Sequence, residues 1–315
     1  MNKTPQNYKN LSDVKKLPKA DVHAHMILSA PFRAYQDIAG DNIKPPPQRF
    51  PGGLNEFLNY LRQEIFVHLK EPDHLRHLLR KTFEHMIDDG IVYTELSYDI
   101  HIPLIFNLSW PEVVKIFDDE TAKYANKIKV RPEFGIPRET PPELWREHYK
   151  KALGTGYFQS IDLYGAELHA PIEAFDSYLS DAKKLGLKIK IHSGEVGEAS
   201  RVLHELRTYH PDAIQHGVRA AEDPAVLEAL AKSGIAVNVC PWSNYCLNVV
   251  PSYKSHPVGE MLRAGVKVTI NTDDLTVFGR SLSEEFIALY QAGIMTEQEL
   301  ETARLNGLSE QNFQR

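Results

Sequence analysis

Residues 20–30 read ADVHAHMILSA. The apolar run carries two histidines, His23 and His25, two positions apart. In an extended chain, residues i and i+2 face the same side. Both imidazoles therefore point one way, near the end of a predicted strand at 20–26. A single buried histidine is commonly a hydrogen-bonded core residue. Two on one face can hold one metal ion, and the rest of the chain decides between these readings.

Further β-branched runs follow at 90–99, 127–136, 157–165, 187–195, 213–217, 235–241 and 267–274. Helical patterns separate them, among them PDHLRHLLRKTFEHMIDDG (72–90) and DPAVLEALAKSG (223–234). Several end in glycine just before the next strand, a common helix stop. Eight strand–helix alternations predict an α/β fold, a (β/α)8 TIM barrel. A doubly wound sheet is the alternative, but no Gly-rich phosphate loop follows the first strand. One barrel domain is expected over residues 1–315. Residues 1–19 form an N-terminal lead-in. Residues 31–70 form a long connection after the first strand, a lid or insertion containing KPPPQRFPGG and LNEFLNYLRQEIFVHL.

Composition narrows the function classes. The 315 residues are 42% hydrophobic and 25% charged, with a net charge of -6, an ordinary globular balance. No dense Lys/Arg run favours nucleic acid or an anionic membrane. No stretch approaches the ~20 apolar residues of a membrane span. The polar N-terminus lacks a signal-peptide core. With only Cys240 and Cys246, a disulfide framework is not expected, and a cytoplasmic setting is. Oligomeric state is not legible.

In a barrel, the strand ends converge on one face. The fifth strand ends IHSGE, with His192 and Glu195; the sixth carries His216; the eighth ends NTDD, with Asp273 and Asp274. Burying such groups together is costly without a metal or mutual pairing. Imidazole and carboxylate ligands most simply take Zn²⁺, with Fe²⁺, Mn²⁺ or Co²⁺ as alternatives. His23, His25, His192 and Asp273 supply the ligands of one ion per chain and leave a position for water. The fourth strand offers no lysine for a carbamylated bridge, which favours one metal. His74 and His77, at i, i+3 on a helix, lack carboxylate partners and read as solvated or capping residues.

Taken together, these segments resemble the adenosine deaminase family of metal-dependent amidohydrolase barrels, over most of the chain. LPKADVHAHM resembles its opening strand, SIDLYGAE its fourth-strand segment, and IHSGEVG its His-Ala-Gly-Glu-Val-Gly. IQHG, VNVCPWSN and INTDD match its later strand ends. The resemblance implies that Glu195 donates a proton to a ring nitrogen equivalent to purine N1. It implies that His216 orients and helps deprotonate the attacking water, with Asp273 also taking a proton. Asp274 would meet the N7 side and the Gly165 N–H would meet N3. The implied activity is zinc-dependent release of ammonia from a small-molecule amino-purine. The cytidine deaminase class is rejected, because it needs a C-x-x-C pair that this chain lacks.

Three positions depart from the family pattern. Ile27 stands where the family has an aspartate that accepts from the ribose 5′-hydroxyl. That implies adenosine modified at the 5′ position, a free base such as adenine, or another amino-heterocycle. A neighbouring polar group restoring ordinary adenosine binding is the alternative. Gln215 replaces a glycine and Leu275 a proline, without loss of a reactive group. Two rivals are carried forward: amide or ester hydrolysis at the same centre, and a non-catalytic metal-stabilised binding protein.

Overall fold

The computed structural model describes residues 8–310. Residues 1–7 of the expected lead-in lie outside them. Eight strands form one parallel sheet in chain order: β1 Lys19–His25, β2 Ile91–Asp99, β3 Lys129–Pro137, β4 Ser160–Tyr164, β5 Lys188–Ser193, β6 Ala213–His216, β7 Ala236–Val239 and β8 Lys267–Ile270. Helices lie between them, and the expected TIM barrel is the fold observed. Strand β8 reaches β1 through a parallel bridge between Ala24 and Asp273. The Asp273 N–H donates to the His23 carbonyl at 3.0 Å. Just below, the Val22 N–H donates to Asn271 Oδ1 at 2.8 Å. The C-terminal helix Glu297–Ser309 braces this seam, with Arg304 donating to Pro18 O and Asn306 to Val268 O.

Alternation explains what fills the cylinder. In KIKIHS, Lys188, Lys190 and His192 share one face, while Ile189 and Ile191 take the other. The interior of such barrels is usually layered with branched apolar side chains. Here the layers below the mouth are polar and paired. Lys190 is buried and bridges Glu133 at 2.8 Å, Glu95, and the Val22 carbonyl at 2.8 Å. Arg131 adds a second cation to Glu95. On the other side, Asn238 donates to Gln215 at 2.7 Å and accepts from Thr269 at 2.8 Å. Gln215 thus completes a hydrogen-bonded layer. The apolar core lies outside the cylinder, between strands and helices, in residues such as Ile161, Ile189, Ile214 and Val237.

The strands end earlier than the sequence pattern predicts. Residues 194–195 and 271–274 lie past β5 and β8, in the turns that carry reactive groups. The 31–70 connection folds as helix Phe32–Ala39, helix Gly53–Tyr60, a π turn at Leu61–Ile65 and a 3-10 turn at Phe66–His68. His74 caps the helix Pro72–Asp88, its Nδ1 accepting from the Lys70 N–H at 3.3 Å. Among the described residues, no helix is long and apolar enough to cross a membrane.

The ionic layer gives the first prediction. Lys190→Met leaves Glu95 and Glu133 facing each other without their shared cation. Urea unfolding should show a loss of about 3–5 kcal/mol, the usual cost of breaking a buried pair. A loss below about 1 kcal/mol would show that Lys190 does not hold the layer together.

Candidate active site

Four imidazoles meet at the C-terminal mouth of the barrel. The His23 ring centroid lies 5.7 Å from His25, 4.7 Å from His192 and 4.5 Å from His216. Asp273 Oδ1 is 3.4 Å from His25 Nε2 and 3.8 Å from His23 Nε2. Asp162 on β4 stands behind them, 3.2 Å from His192 Nε2 and 3.9 Å from His25 Nδ1. His216 does not arrive by alternation, which would set it opposite the inward Gln215. Its backbone is left-handed (φ 64°), and this turns the ring into the mouth; Asp273 shares that conformation (φ 63°). Non-glycine residues seldom adopt it, and such strain gathers at functional sites.

The donor set fits a divalent ion. His23 Nδ1 lies 3.0 Å from the Asn238 carbonyl. A carbonyl only accepts, so the hydrogen is on Nδ1 and the Nε2 lone pair is bare. That Nε2 is buried without a partner, while His192 Nε2 has only the Asp162 carboxylate, at 3.2 Å. Bare buried acceptors are costly unless something meets them. Among the described residues, His23, His25 and His192 present nitrogens close enough to share an ion, and Asp273 joins both His23 and His25 in such groups. Cys240 lies beside the cluster, its Sγ 3.3 Å from His23 Nδ1. Burial holds its thiol well above the usual range, in the protonated form.

Charge is distributed unevenly around this centre. Burial, helped by the His192 and His25 rings, lowers the His23 pKa to about 3. Burial also disfavours charge on His25, but Asp274, Asp273 and Asp162 outweigh it and raise its pKa to about 10. Positive charge is thus favoured at one point, between Asp273 and Asp162. Burial, then Asp273 and Glu167, raises the Glu195 carboxyl well above its ordinary value. Burial and Asp273 do the same to Asp274. Both shifts run toward the neutral form, which can donate a hydrogen bond, and both groups line the cavity.

That cavity has a volume of about 450 Å³, within the usual range for small-molecule sites. Its floor is His25, His192 and His216 with Glu195, Asp273 and Asp274. Ile27, Leu54, Phe57, Leu61 and Phe66 form an apolar wall, so the 53–68 segment covers the mouth. Ser97, Asp99, His101, Glu139 and Tyr164 form a polar side. Asp99 accepts from the Tyr164 hydroxyl and lies 2.7 Å from His101 Nδ1. Gly165, at φ 89°, lies on the rim, and a Cβ there would come within 2.3 Å of Glu139 Oε2.

The sequence pointed to the candidate site residues and not to their supports. Glu167 is fully buried, and its carboxylate accepts four backbone N–H groups: Gly194 (3.0 Å), Glu195 (2.7 Å), Val196 (3.2 Å) and Gly197 (3.1 Å). It fixes the turn that carries Glu195. Its signal was its place two residues after Gly165 in SIDLYGAE. Ser243 donates to Asp273 Oδ2 at 2.6 Å, and Arg138 ties the His192 carbonyl to Glu205. These contacts join segments far apart in the chain, so no local pattern announces them.

Comparison with known proteins places this geometry. The adenosine deaminase family profile matches residues 44–313. An adenosine deaminase of Erwinia tasmaniensis is 36% identical over 310 residues, covering 93% of each chain. The crystal structure of an adenine deaminase from Arthrobacter aurescens matches with a TM-score of 0.85 at 23% identity, over 94% of each chain. An amidohydrolase from Burkhoderia ambifaria, crystallised with bound Zn, matches with a TM-score of 0.81 at 22% identity, over 94% of this chain and 86% of that one. The two structural likenesses establish the barrel fold.

Glu167 supplies the prediction for this site. Glu167→Gln keeps one acceptor oxygen and turns an NH₂ toward two of the four amides. Two charge-assisted hydrogen bonds are lost, for a cost of about 2–4 kcal/mol. Hydrogen exchange should quicken at residues 194–197 before it does elsewhere. Unchanged protection there would show that the carboxylate does not hold the turn.

Proposed function

The chain belongs to the adenosine deaminase family, and from that premise we propose that it is a zinc-dependent hydrolytic deaminase of a 6-aminopurine. One observation carries the reading: two carboxyls, Glu195 and Asp274, face one cavity floored by His25, His192 and His216. Each has a buried oxygen without a partner, Oε1 of Glu195 and Oδ1 of Asp274. Two acids are what two ring nitrogens with lone pairs require. A purely structural metal site needs neither.

His23, His25, His192 and Asp273 would hold the ion, one per chain. When bound, zinc supplies an acidified water, with a pKa near 7 in place of 15.7. The chain's own groups do the remaining work. Glu195 donates its proton to N1, which makes C6 electrophilic. Asp274 donates to N7 and the Gly165 N–H to N3, which fixes the ring. Asp273, steadied by Ser243, takes a proton from the attacking water. As the water oxygen bonds to C6, that proton passes to the amino group. The C–N bond breaks, ammonia leaves, the remaining hydroxyl proton returns to Glu195, and the ring keeps the oxygen as a 6-oxopurine with its hydrogen on N1. The 53–68 segment acts as a lid that keeps bulk water from the ring.

Ring orientation also bears on the substrate. With N1 at Glu195 beyond β5, N7 at Asp274 beyond β8 and N3 at Gly165 beyond β4, the N9 edge faces the β1–β3 arc. That arc holds the polar side with Asp99 and Glu139, and then Ile27 against the lid. The polar side suits sugar hydroxyls, whereas Ile27 offers nothing to a 5′-hydroxyl. The substrate reading is therefore an adenosine with an apolar 5′ substituent.

Two experiments test this. Ammonia release should rank 5′-methylthioadenosine above adenosine by about tenfold or more in kcat/KM, because an unpaired buried hydroxyl costs about 1–3 kcal/mol, and adenine should trail both. Adenosine or adenine emerging best would refute the substrate assignment. Glu195→Gln should lower kcat by about 10²–10⁴-fold with zinc content unchanged. A wild-type rate in that variant would remove Glu195 as the proton donor.

A further inference from the structure

Behind His216 runs a chain of hydrogen bonds whose direction is set at one end by the backbone. The Val258 N–H donates to His256 Nδ1 at 3.1 Å. A ring nitrogen that accepts carries no hydrogen, so neutral His256 bears its hydrogen on Nε2. Burial lowers the His256 pKa to about 3, which keeps the ring neutral. Its Nε2 lies 3.2 Å from Asn244 Oδ1, which accepts. The reversed amide would set the Asn244 NH₂ against the His256 N–H. Asn244 Nδ2 therefore faces His216 Nδ1, at 3.1 Å, and donates to it. His216 Nδ1 is thus an acceptor, and its hydrogen lies on Nε2. That atom is 3.6 Å from Glu195 Oε2, at the floor of the cavity. Asn244, His216 and His256 are all buried, so no solvent competes for these partners.

We propose that the Val258–His256–Asn244 relay locks His216 in the Nε2–H tautomer, making it a hydrogen-bond donor to the oxygen that attacks C6. The inference rests on the deaminase reading above and sharpens it. A nitrogen that already carries its hydrogen cannot take a proton from water, so proton acceptance belongs to Asp273. His216 then orients the attacking oxygen and stabilises the charge that develops on it. Asn244 and His256 are positioning residues: they touch no reacting atom, and they decide which hydrogen His216 presents.

The test reads the tautomer directly. Zinc-loaded protein labelled with ¹⁵N-histidine is examined by long-range ¹H–¹⁵N correlation, with His216 assigned by its loss in His216→Gln. The expected pattern is an unprotonated Nδ1 and a protonated Nε2. Asn244→Asp removes the donor, so the hydrogen should move to Nδ1, and kcat on the best 6-aminopurine should fall about 100-fold with KM little changed. His256→Leu should mix the tautomers and cost about tenfold in kcat. His256→Gln, which keeps an N–H for Asn244, should restore both readouts. This pair keeps the test decisive if Asn244→Asp fails to fold. A wild-type His216 protonated at Nδ1, or variants that change neither tautomer nor kcat, would overturn the relay. An Nε2–H His216 in a protein that deaminates no 6-aminopurine would sink the reaction assigned above and leave the relay standing.

Discussion

One imidazole lone pair with nothing to meet it governs the mouth of this barrel. His23 Nε2 is buried without a partner, with His192 and the Asp162 carboxylate packed beside it. Hydrogen bonds at the far side of His23 fix its bare nitrogen toward the centre. Such an arrangement is costly for a chain to bury by itself, and a shared cation relieves it. The same atoms lie where the barrel closes, because the Asp273 N–H binds the His23 carbonyl. Closing the fold and assembling the ion site are therefore one event. A change that loosens the seam between β8 and β1 also moves two members of the donor set.

Rigidity below the site comes from polar pairs in place of apolar layers. Lys190 links three strands through Glu95, Glu133 and the Val22 carbonyl. The Gln215–Asn238–Thr269 layer links three more. Buried polar pairs of this kind favour one arrangement of the strands that carry them. At the mouth the same logic is applied to single residues. Glu167 holds the Glu195 turn by four amides, and Ser243 steadies Asp273. The candidate site residues are thus held by side chains that do not line the cavity.

Much of this was legible in the sequence. All eight strands follow from β-branched runs and their spacing, because period-2 patterning is local. His23, His25, His192, Glu195, Asp273 and Asp274 stood out because each is a reactive residue at a predicted strand end. The rest depends on distant partners. Alternation would have turned His216 away from the mouth, and only its left-handed backbone brings it in. Asp162 is hidden in an apolar strand. The order Val258, His256, Asn244, His216 runs through three separate segments, and no periodicity links them. The π turn at Leu61–Ile65 interrupts a helix whose apolar residues alone would have continued it.

The central claim is that His23, His25, His192 and Asp273 gather around a single ion. Anomalous diffraction at the zinc edge, from crystals of the zinc-loaded protein, tests it most directly. One strong peak among those four side chains is the predicted result. A peak elsewhere, or none in a protein that still turns over substrate, would contradict the account.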